Sequence, residues 1–103
     1  MIRIEIAAEH YDLSSDLKDR IEEKFAGLSQ YMDDLAGGHV RVSWEGGKNE
    51  QTMVRAQVWG PGNKFEASDT DWSAVSAIDE THQKLEKQVR REHNKEISER
   101  HHL

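Results

Sequence analysis

The sequence predicts an α+β fold: a two-layer sandwich, β-α-β-β-β-α, in which a four-stranded sheet carries both helices on one face. Three observations lead there. Four segments alternate apolar and polar residues with a period of two. Two longer segments repeat apolar residues every three or four positions, so each buries one side. A sheet and two one-sided helices can bury their apolar faces together only as two layers.

The elements follow in order. Ile2, Ile4 and Ile6 alternate with Arg3 and Glu5, the pattern of a half-buried strand. Asp12-Leu13-Ser14-Ser15-Asp16 supplies capping oxygens and negative charge for a helix start. Leu17, Ile21, Phe25, Leu28, Met32 and Leu35 then fall within a sector of roughly 80°, so one amphipathic helix is expected. Gly37-Gly38 is expected to stop it as a left-handed C-cap pair. Val40, Val42 and Trp44 alternate with Arg41 and Ser43 in a second strand, and parity assigns Trp44 to the core. Glu45-Gly46-Gly47-Lys48-Asn49 reads as a hairpin loop into a third strand, residues 53–59, with Val54, Ala56 and Val58 inward and Trp59 outward. Gly60-Pro61-Gly62-Asn63 is a turn before a short strand carrying Phe65 and Ala67. Ser73 caps the second helix, Trp72 is expected to pack over its start, and Val75, Ile78, Leu85 and Val89 form its buried stripe. Beyond Val89 the stripe fails, so the helix should run past the core from about residue 91. The expected division is a folded domain over 1–96 and a C-terminal tail over 97–103.

Composition narrows the function. The chain has 103 residues, one domain's worth, with no cysteine. That excludes a disulfide framework, thiolate zinc sites and thiol catalysis, and it suits a reducing cytoplasm. No apolar run approaches the roughly 20 residues of a membrane span. No H-E-x-x-H, G-x-S-x-G or Walker pattern occurs, and Asp33-Asp34 point to different sides of a helix. His93, His101 and His102 sit on a terminus that does not preorganise metal ligands. The expectation is a cytoplasmic, non-enzymatic domain, monomeric when free, with no catalytic residue, cofactor, metal, small-molecule substrate or membrane partner.

Charge is the informative quantity. Fourteen basic and 20 acidic side chains give a net −6, which argues at first against a nucleic-acid binder. Along the chain, residues 1–80 carry 8 basic and 16 acidic side chains, whereas residues 81–103 carry 6 and 4. Lys84, Lys87, Arg91 and Lys95 are three, four and four apart, so they share one outward helix face about 16 Å long. A row of that length can meet several phosphates. It is equally the pattern of a solvated face laced to glutamates such as Glu80 and Glu99, and spacing alone does not separate the two.

Two stretches carry a resemblance. Lys24-Phe25-Ala26-Gly27-Leu28-Ser29-Gln30-Tyr31 is similar to a Lys-Phe-x-Lys-Leu-x-x-Tyr stretch. Phe65-Glu66-Ala67-Ser68, Ala77-Ile78-Asp79 and Lys84-Leu85-Glu86-Lys87-Gln88-Val89 resemble an Ala-Ser strand end, an Ala-Ile-Asp and a Lys-Leu-x-Arg-Gln-Leu at the same spacing. Both belong to the ribosome hibernation promoting factor / ribosome-associated inhibitor A family, also called sigma-54 modulation proteins, and the chain resembles a short form over about residues 1–96. It departs at Gly27, Ser73 and Val75, where the family often has lysine, aspartate and tyrosine. The resemblance implies a stress-response protein that binds the small ribosomal subunit in the mRNA–tRNA channel and silences translation through ribosomal RNA phosphate contacts. Lys84, Lys87, Arg91 and Lys95 coincide with basic positions of the family's second helix, and Lys18 and Lys24 with those of its first. Helical geometry adds Arg20 and Arg90. About six such contacts would give a log–log salt slope of roughly −4 to −5. Glu22, Glu23, Glu86 and Glu92 lie beside these positions and oppose phosphate approach. The alternative is a family-like domain turned to protein–protein interaction through its acidic first helix. A positive strip continuous across both helices favours RNA; an interrupted strip favours the alternative.

Overall fold

The computed structural model describes residues 2–45 and 51–101. The element order is β1 (Arg3–Glu9), α1 (Ser15–Ala26), β2 (Gly37–Glu45), β3 (Gln51–Gly60), β4 (Asn63–Asp71) and α2 (Ala74–His101), with a 3₁₀ turn at Gly27–Gln30. The sheet order is β1-β2-β3-β4. β1 and β2 run parallel, linked through α1, and the other pairs are antiparallel. The two-layer α+β sandwich is therefore as the periodicities implied.

Parity builds the core. Val40 and Val42 of β2, Val54, Ala56 and Val58 of β3, and Phe65 and Ala67 of β4 are buried, while their alternate neighbours face outward. Ile21, Phe25 and Leu28 cover the sheet from the first helical segment, and Ala77, Ile78, Leu85 and Val89 cover it from α2. Thr81 is fully buried, and its Oγ1 donates to the Val54 carbonyl at 3.5 Å. Both helices start on serine caps: Ser14 Oγ accepts from Leu17 N at 3.2 Å, and Ser73 Oγ from Ser76 N at 3.3 Å.

Four expectations need correction. The first helix leaves the α conformation at Ala26 and tightens into the 3₁₀ turn at Gly27, yet Leu28, Met32 and Leu35 stay buried. Burial follows the apolar residues even where glycine weakens the helix. Gly37 and Gly38 are not its cap; they open β2. A Cβ on Gly38 would meet Ile4 Cδ1 at 2.8 Å and the Gln57 carbonyl at 2.9 Å, so the close approach of the neighbouring strands requires glycine there. Trp44 is not core: it is 44% exposed, one residue from the end of β2. Trp72 and Val75 are likewise exposed at the start of α2, so neither staple nor stripe forms there. Periodicity assigns a side of an element, but cover comes from neighbours, and cover gives out at its ends. The hairpin loop over residues 46–49 lies outside the described residues.

Candidate nucleic-acid interface

Beyond residue 89, α2 continues as helix with Arg90, Arg91, His93, Asn94 and Lys95 exposed. Its contacts sort the cations into groups. On the β4 side, Lys84 Nζ donates to the Ser68 carbonyl at 3.0 Å and pairs with Asp69 Oδ2 at 3.2 Å. Gln88 Nε2 donates to the Glu66 carbonyl at 2.8 Å. Burial works against the Asp69 charge, but hydrogen bonds from Thr70 N–H, Glu80 and Lys84 outweigh it and hold this carboxyl below its usual range. Glu80 moves the other way, raised by its hydrogen bond to Asp69. The partner of Lys84 is thus a strand aspartate rather than Glu80.

On the α1 side, Asp79 gathers two cations. Arg20 Nη2 reaches both of its oxygens, at 3.1 and 2.9 Å, and Lys24 Nζ lies 3.0 Å from Oδ1. Burial raises the Asp79 pKa, yet the hydrogen bonds from Arg20 and then Lys24 win and leave it lowered. His82 is half-buried beside them, edge-on to the Phe25 ring at 5.4 Å. Burial, then the Lys24 charge, pushes its pKa down, so it adds no positive charge at neutral pH. Lower on the same side, the Arg90 guanidinium lies 5.6 Å from the Tyr31 ring centroid, near Glu86 at 4.0 Å. Glu86, through hydrogen bonding, raises the pKa of the Tyr31 hydroxyl.

The eight cations singled out from sequence therefore do not form one patch. Lys84, Lys87, Arg91 and Lys95 share the outer, β4-side face of α2. Arg20 and Lys24 lie across the helix–helix groove, bound to Asp79, and Arg90 covers Tyr31. Lys18 lies on the opposite flank of α1, beside β1, with Asp19, Glu22 and Glu23. Between the row and the α1 cations stand Asp79 and Glu86, so the positive strip is interrupted. Among the described residues, Lys87 and Arg91 have no carboxylate within ion-pair distance. The residue that sequence reasoning missed is Asp79. It was visible only as part of Ala-Ile-Asp, and its partners on α1 are 55 and 59 positions away.

The fold is a small α+β sandwich whose outer helix displays a cationic row. The chain belongs to the Sigma 54 modulation protein / S30EA ribosomal protein family, whose model matches residues 4–97. The N-terminal domain of Thermus thermophilus Protein Y shares 27% sequence identity with it at a TM-score of 0.75, over 84% of this chain and 93% of that one. A ribosomal subunit interface protein from Coxiella burnetii has the same fold, at 23% identity and a TM-score of 0.73, over 84% and 92% of the two chains. The family resemblance carried by the helix motifs is therefore correct. Among the described residues, no helix is long and apolar enough to cross a membrane.

Proposed function

We propose that this protein is a ribosome-associated translation inhibitor that occupies the mRNA–tRNA channel of the small subunit. The outer face of α2 meets ribosomal RNA phosphates, and occupancy rather than chemistry silences the ribosome. The observation that carries this reading, beside family membership, is the exposed row of Lys87, Arg91 and Lys95, continued by Lys84. A rigid helix sets these charges at fixed intervals, which suits a phosphate backbone.

The ion pairs sharpen the expected energetics. Arg20, Lys24 and Lys84 reach phosphate only by giving up Asp79 or Asp69. Three to four contacts then carry binding, and the salt slope becomes roughly −2 to −3.5, shallower than six contacts would give. Co-sedimentation with purified small subunits over a salt series tests this. Pelleting at low salt that falls with that slope supports the reading; no pelleting at low salt, or pelleting indifferent to salt, refutes it.

A second reading is favoured by the interruption at Asp79 and Glu86: the acidic flank of α1 engages a protein. The two readings use different sides of the molecule and can hold together.

A further inference from the structure

We propose that the open groove between β1 and α1 binds an extended basic peptide segment, which adds to the β1 edge as a fifth strand. This names the segment and the ligand chemistry for the second reading above, and it is independent of the ribosomal RNA contacts.

The two edges of the sheet are treated differently. Along β4, Lys84 and Gln88 of α2 reach down and donate to the Ser68 and Glu66 carbonyls. That cover blunts the edge against further strands. Among the described residues, no side chain or backbone group outside the sheet bonds to the β1 backbone. Beside β1 lies a groove of about 690 Å³. Its floor is Ile2, Ile4 and Ile6, which are only half-buried although they face the helix layer. Its wall is the flank of α1, with Asp19, Glu22 and Glu23. None of these three acids has a cationic partner among the described residues, although Lys18 stands beside them.

An unpaired strand edge, an apolar floor and an acidic wall together specify the occupant. Main-chain hydrogen bonds to β1 require an extended segment, whose side chains alternate between the two faces of the sheet. Those on the helix side lie over the isoleucines and beneath the carboxylates. Lysine or arginine at every second position satisfies both, with methylenes on the isoleucines and the charged head at the acids. A second copy fits poorly, because pairing β1 with β1 would bring two acidic α1 flanks together. A nucleic acid would be repelled by the same wall.

The test uses the full chain and a nine-residue peptide alternating lysine and valine, followed by backbone amide shifts and an affinity titration. Shifts should concentrate in residues 2–6 and 18–26. A peptide of the same composition with its lysines in one block should bind at least tenfold more weakly. N-methylation of one of the two alternate sets of peptide amides, the set facing β1, should abolish binding, while the other set tolerates it. Glu22→Lys with Glu23→Lys should cost at least tenfold, while Lys64→Glu, exposed on β4 at the opposite edge of the sheet, should leave peptide affinity unchanged. Equal binding of the block peptide, tolerance of N-methylation at both alternate sets of amides, or indifference to the charge reversal at Glu22 and Glu23 would overturn the proposal. So would a concentration-dependent dimer whose shifts map to β1. Any of these could occur while ribosome pelleting behaves as proposed, so the two readings fail separately.

Discussion

Asp79 lies on a helix otherwise chosen for its cations, and it determines how many of them are available. It holds Arg20 in a bidentate fork and Lys24 by a single contact. Asp79→Asn should release both side chains, tighten small-subunit binding and steepen its salt slope by about one to two units. Unchanged pelleting by that variant would mean the two cations lie outside the contact. Asp79 also makes stability depend on pH. Its folded pKa is lowered below the unfolded value of about 3.9, so its stabilising contribution is complete above that value and disappears as pH falls through the folded pKa. The melting temperature of wild type relative to Asp79→Asn should therefore be level from neutrality to about pH 5 and fall below about pH 4. A difference that persists unchanged at low pH would contradict this. Gly38 is the second residue with a sharp demand. Gly38→Ala places a Cβ against the Gln57 carbonyl, which is fixed in the sheet, and should cost about 1–3 kcal/mol in denaturant unfolding.

At the scale of elements, α2 serves two ends. Its first four turns pack the core, and Arg90, Arg91 and Lys95 beyond them carry exposed charge. Leu85→Ala, at a fully buried position, should cost about 2–5 kcal/mol, and Ser73→Ala, which removes the cap, about 1 kcal/mol. Both should lower thermal stability without altering the charged row. The elements were legible because their periods are clean: Ile2, Ile4 and Ile6 mark a strand, and Ile78, Leu85 and Val89 mark a helix face. Their ends were not, since a period carries no information about where a neighbouring layer stops. Hence Trp44, Trp72 and Val75 are exposed, and the first helix closes a turn after Gly27 rather than at Gly37-Gly38. The parallel pairing of β1 with β2 depends on the crossover through α1, which alternation within a strand does not reveal.

Across the whole molecule, the net charge of −6 averages two unlike regions. The row on α2 was readable from spacing alone, because i, i+3 and i+4 positions must share a helix face. Which cations remain available was not readable, because Arg20 meets Asp79, and Lys84 meets Asp69, only after the chain folds. The folded protein separates its surfaces: a cationic face on the β4 side of α2, a neutralised groove between the helices, and an acidic flank beside β1. The cationic face is the proposed ribosome contact, and Lys87→Glu with Arg91→Glu tests it most directly. Both residues are exposed and unpaired among the described residues, so thermal unfolding should be nearly unchanged while co-sedimentation with small subunits is lost at low salt. Pelleting equal to wild type by the folded double variant would contradict the account.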